Sequence, residues 1–68
     1  MSPSWFVRTL REGMSGADVE MVQRKLRVPN EVGFGPLTAQ KLRGFLWMNN
    51  LDRPDAVVDA EVARKLGE

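Results

Sequence analysis

Apolar residues return at spacings of three and four in three stretches of the chain, and each stretch reads as a helix. Val19, Val22 and Leu26 form one stripe, with Glu20, Gln23, Arg24, Lys25 and Arg27 on the other faces, which predicts an amphipathic first helix. Ser15 is its expected N-cap, Asp18 lies three residues on near the positive helix end, and Pro29 with Asn30 is expected to stop it. Gly33-Phe34-Gly35-Pro36 reads as a turn, with the proline suited to the first helical position of a second helix. That helix is expected to run to about Asn49 or Asn50, with Leu42, Phe45 and Leu46 inward. Gly44 stands out inside it, and close approach of another backbone is the expected reason for a glycine there. Leu51 to Val58 reads as a loop with a short extended end, after which Asp59 caps a final helix, Ala60 to Leu66. Val62 and Leu66 share one face of it and Gly67 ends it.

Ahead of the helices, Ser2 to Leu10 carries Pro3, Trp5, Phe6 and Val7 and reads as an extended arm folded onto the domain. Adjacent residues of an extended segment point opposite ways, so one of Trp5 and Phe6 is expected to be exposed. The expected organisation is an arm over residues 1–9 and a single all-α, three-helix domain over residues 10–68. With 68 residues there is room for one small core. Hydrophobic residues at 43% and charged residues at 28% are the proportions of a globular chain.

Cysteine and histidine are both absent, which removes disulfides, the commonest metal ligand and the usual general base near neutral pH. No metal, no cofactor and no catalysis are expected, since the carboxylates Glu12, Glu20, Glu31, Asp52, Asp55, Asp59 and Glu61 read as loop or solvated-face residues. A net charge of +1 promises little attraction to nucleic acid or to anionic membranes. No stretch approaches the roughly 20 apolar residues that cross a bilayer, and the first residues lack the pattern of a secretory signal, so synthesis in the cytoplasm is expected.

The sequence Leu10-Arg11-x-Gly13-x-x-Gly16-x-Asp18-Val19-x-x-Val22-Gln23-x-x-Leu26 resembles the opening signature of the peptidoglycan-binding domain family. Phe34-Gly35-Pro36-x-Thr38, then Leu42, Phe45 and Asn50-Leu51, follow the order of that family's second half, so the resemblance spans residues 10 to 66. It implies a small peptidoglycan-binding-like three-helix module in which Gly13, Gly16, Asp18, Val19, Gln23, Phe34, Gly35, Thr38 and Phe45 act as fold determinants. For Gln23 it leaves open a tie from helix to loop or a contact with ligand. The chain departs from the family pattern at Glu31-Val32, where Asp-Gly is usual and the glycine is displaced to Gly33, and at Phe45-Leu46, where Phe-Gln is usual. The second Asp-Gly is replaced by Asp55-Ala56.

The resemblance implies adhesion to the sugars and stem peptides of peptidoglycan, with Trp47, Asn49 and Asn50 as candidate ligand contacts. Trp47 lies beside the inward stripe, which leaves open both packing against the arm or loop and partial exposure. A second expectation, from the lack of an attached enzyme or export signal, is a phage-encoded, virion-associated protein that docks on capsid or tail. It would use Trp5, Phe6 and Arg8 as partner contacts, in a multi-copy assembly. A helix-turn-helix DNA reader fits less well, because the charge is nearly balanced and the glycine-turn spacing matches the wall-binding family better.

Overall fold

A computed structural model describes residues 1–68 and contains three helices, α1 (Ala17–Leu26), α2 (Pro36–Met48) and α3 (Ala60–Leu66). There is no named strand, and the chain is the small all-α bundle its hydrophobic spacing calls for. One continuous core holds Leu10, Val19, Val22, Phe34, Ala39, Leu42, Leu46, Ala56, Val58, Val62 and Ala63. Leu10 and Val58 exchange antiparallel backbone hydrogen bonds of 3.0 and 2.8 Å, and this rung ties the end of the arm to the segment that enters α3.

Helix α1 begins one residue later than the position of Ser15 suggests. Gly16 is the N-cap, with φ 134°, and no side chain caps the helix. The Ser15 carbonyl instead accepts from Arg8 Nη2 at 2.6 Å, and the same guanidinium grips the Asp18 carboxylate at 2.8 and 3.1 Å. A Cβ on Gly16 would stand 3.1 Å from both Arg8 Nη2 and Asp18 Oδ1, so the glycine serves the ion pair as well as the backbone angle.

The helix also ends before Pro29 is reached. Arg27 turns left-handed at φ 58°, its N–H donates to the Arg24 carbonyl, and the Val28 N–H reaches back to the Gln23 carbonyl at 2.9 Å. The proline acts from downstream: the residue before it is disfavoured in the α region, so Val28 leaves the helix and Arg27 makes the turn.

Helix α2 buries Thr38, Ala39, Leu42 and Leu46, while Phe45, expected inward, is only half-buried at the margin of the core. Gly44 overturns its expected explanation. It is exposed, and a Cβ placed on it would meet nothing within 4 Å, so no neighbouring backbone requires glycine there. A mid-helix glycine costs roughly 1 kcal/mol relative to alanine, and nothing inside the fold offsets it. Helix α3 starts as expected, with the Asp59 carboxylate accepting from the Val62 N–H at 3.1 Å, and it stops at Gly67.

The arm is not extended throughout. It turns at Pro3, where the Phe6 N–H donates to the Pro3 carbonyl at 3.0 Å, and Pro3 itself is buried. The turn brings Trp5 and Phe6 to the same side of the chain as an edge-to-face pair with centroids 6.3 Å apart, so both are half-buried and neither stands free. The Trp5 indole N–H donates to the Gly67 carbonyl at 2.9 Å, and the Ser4 backbone N–H and hydroxyl donate to the Glu68 carboxylate.

Candidate functional site

Trp47 sits on the last turn of α2, one residue past buried Leu46 and so about 100° round the helix from it. The arm is engaged with Gly67 and Glu68, and nothing covers the indole: Trp47 is 82% exposed and its neighbour Met48 77%. Leu46, Trp47, Met48, Asn50, Leu51 and Asp52 line a shallow open groove at this end of the helix. A second depression shares Leu46, Trp47, Leu51 and Asp52 and adds Arg43, Arg53 and Pro54, so the indole borders both.

The frame around Trp47 is held by its backbone. Asn50 adopts the left-handed conformation at φ 56°, its N–H donates to the Trp47 carbonyl, and the Leu51 N–H donates to the Leu46 carbonyl at 2.9 Å. Asn49 Nδ2 donates to the Phe45 carbonyl at 2.8 Å, which ties that side chain back to the helix end. The Arg53 guanidinium donates to Asp59 at 2.7 Å and also to Glu61, and its Nη1 donates to the Asp52 carbonyl at 2.9 Å. The loop wall of the groove is therefore clamped onto the start of α3. The Asp59 and Glu61 bonds hold Arg53 charged.

Three side chains at the rim keep their polar groups free of partners within the chain: the Asn50 amide, the Asp52 carboxylate and the Arg43 guanidinium. Asp52 is the one carboxylate lining the two depressions, so the paired acids of general acid–base chemistry do not meet there. No three acidic side chains converge as a metal site. The groove can offer an aromatic face, an amide, an acid and a guanidinium, which is the equipment of recognition.

The other candidate residues lie elsewhere. Trp5 and Phe6 pack against the core, and Arg8 is engaged with Asp18 and Ser15. Gln23 and Thr38 form a buried network under the turn: Gln23 Nε2 faces the carbonyls of Gly33 at 2.6 Å and Glu31 at 3.3 Å and the Thr38 hydroxyl at 3.0 Å. Phe34 is buried beside it, and the Phe34 N–H donates to the Met14 carbonyl while the Gly13 N–H donates to the Phe34 carbonyl.

Glu31, expected on a loop or a solvated face, lies in the loop before α2, but its carboxylate is engaged there. Its carboxylate accepts from the backbone N–H groups of Gly35, Leu37 and Thr38 at 3.3, 3.0 and 2.7 Å, and from the Thr38 hydroxyl at 2.6 Å. It thus caps α2 from outside the helix, and the Thr38 hydroxyl together with these N–H groups holds its pKa below the ordinary value. A Cβ on Gly35 would collide with this carboxylate, which accounts for the glycine. The signal available in the sequence was the Gly35-Pro36 start of α2, which carries no capping side chain of its own. Asp52 joins the groove only because the fold brings the loop after α2 beside Trp47, while Arg43 and Met48 lie on the exposed end of α2 itself.

No protein-family model, no curated protein and no solved structure matches the chain. No helix is long and apolar enough to cross a membrane. Geometry and residue chemistry therefore carry the functional reading.

Proposed function

We propose that this chain is a non-catalytic module that adheres to bacterial peptidoglycan through the Trp47 face of α2. The observation that carries the reading is the bare indole at the mouth of a groove whose other polar groups are an amide, an acid and a guanidinium without internal partners. Trp47 and Met48 are adjacent and both exposed, and contiguous exposed apolar surface marks an interaction site where single residues do not. A sugar ring presents apolar C–H faces to such an indole, while its hydroxyl and acetamido groups find Asn50 and Asp52. The resemblance of residues 10 to 66 to wall-binding modules supports the same ligand class.

The experiment is co-sedimentation of the purified chain with insoluble peptidoglycan. Wild type is expected to pellet with the wall, and Trp47→Ala to lose at least about tenfold in affinity, the equivalent of ~1.4 kcal/mol. Because Trp47 is exposed, the variant keeps the wild-type melting curve, which separates lost binding from lost fold.

Met48 favours one other reading. Its exposure beside Trp47 makes a two-residue apolar anchor of the kind that docks on protein, here a capsid or tail surface. Absence from the wall pellet, together with stoichiometric presence in purified phage particles, would decide for docking.

A further inference from the structure

Gly44 stands at the middle of the face of α2 that points away from the core. At about 100° per residue it lies about 160° round the helix from both Leu42 and Leu46, two of its buried residues. Gln40 and Lys41 flank it one turn before, Trp47 and Met48 one turn after, and all four are exposed. The Gly44 backbone is not left-handed, and a Cβ would meet nothing within 4 Å. What a mid-helix glycine offers is close approach of another backbone, and no such backbone lies within this chain.

The same face carries charge of one sign. Lys41 and Arg43 make no ion pair, and α2, alone among the three helices, holds no acidic residue. Two free cations with an apolar pair at one end complement a partner that is acidic and amphipathic. An extended peptide laid on α2 would strand its own backbone groups, because α2 keeps its N–H and C=O groups bonded to itself; a helix arrives with its backbone already satisfied. A second copy of this chain fits poorly. Its α2 repeats the cations, Asp18 and Glu61 of its other helices are held in ion pairs, and its Glu20 has Arg24 and Lys25 on the same helix.

We propose that the outward face of α2 docks an acidic amphipathic helix of another protein, with the two helices crossing at Gly44. Trp47 and Met48 receive the apolar side chains of that helix, and Lys41 and Arg43 pair with its carboxylates. With no side chain at the crossing, the axes approach to the short end of the ~8–10 Å range of packed helices. The inference rests on the protein-docking reading of Trp47 and Met48 and adds to it the shape and charge of the partner.

The probe is a dye-labelled synthetic helix of roughly 18 residues, with leucine and alanine along one face and glutamate beside it, set against a twin in which every glutamate is lysine. In fluorescence anisotropy at low salt, the full wild-type chain is expected to bind the acidic helix about tenfold tighter than the twin. Gly44→Gln is expected to keep a melting temperature no lower than wild type and to weaken the acidic helix about tenfold, because its side chain props the two helices apart. Lys41→Gln, which lines neither depression by Trp47, is expected to weaken it about threefold. No binding of the acidic helix, equal affinity for the two peptides, or Gly44→Gln binding as tightly as wild type would overturn the proposal. So would a wild-type dimer in sedimentation equilibrium that Gly44→Gln abolishes, because a second copy would then be the occupant. Binding of the acidic helix by a chain absent from purified phage particles would support the partner and remove the virion as its place.

Discussion

The Gln23 amide lies between α1 and the turn into α2, and its nitrogen is the donor that two carbonyls of that turn and the Thr38 hydroxyl share. No buried side-chain nitrogen or oxygen in the molecule lacks a partner, and this network is one of the reasons. Gln23→Ala would strand the Gly33 carbonyl and open a void beside it, at an expected loss of ~1–3 kcal/mol in urea unfolding. That is a large share of a domain with roughly 3–10 kcal/mol in hand. Unchanged stability would mean that the network is dispensable. The importance of Gln23 was legible from its place in the family-like motif, although the motif alone left open whether it serves the loop or the ligand. Glu31 was not legible, because at that position it reads as a departure from an Asp-Gly pattern, and its four bonds arise only when the turn folds it back over the start of α2.

Among the elements, helix existence followed from the 3.6-residue period, while the helix ends depended on contacts that periodicity does not encode. α3 was legible to the residue because its cap, Asp59, and its stop, Gly67, are local signals. α1 was not, because no side chain takes the capping role expected of Ser15, whose carbonyl accepts from Arg8 instead, and Arg27 makes the turn that Pro29 enforces. α2 ends through Asn50 in the left-handed conformation, and this separates two roles of that residue. Glycine adopts this backbone at least as easily, so Asn50→Gly is expected to keep the melting temperature within a few degrees of wild type. The same variant removes the amide from the groove and is expected to weaken peptidoglycan retention severalfold. If retention is unchanged while the fold holds, the asparagine serves the helix end alone.

For the molecule as a whole, ion pairs and caps join segments distant in sequence, and their carboxylates set the response to acid. Asp18 is held below its ordinary value of 3.8 by the Arg8 bond, and Glu31 below its ordinary 4.5 by Thr38. Glu68 is lowered by the Ser4 backbone and hydroxyl, and at Asp59 burial opposes a lowering that the Arg53 and Val62 bonds win. Groups with depressed folded values contribute stability that is fully present above the ordinary values and is lost as pH falls through the folded ones. With no histidine in the chain, the melting temperature is expected to be level from about pH 8 to about pH 5 and to fall below about pH 4. Glu31→Gln is expected to start from a lower plateau and to fall less steeply. An unchanged acid limb in that variant would remove Glu31 from the set. The arm's turn and the Trp5 bond to Gly67 belong to this scale too, and no local pattern announced them, whereas the place of Trp47 beside the inward stripe left its exposure open. The two indoles supply the most direct test of the adhesion reading, an amide-resolved NMR titration with soluble peptidoglycan fragments. The expected result is shifts at the Trp47 indole N–H and at the backbone amides of Asn50, Leu51 and Asp52, with the Trp5 indole N–H, bonded to Gly67, unmoved. Shifts confined to Trp5, Phe6 and Arg8, or none at saturating fragment, would contradict it.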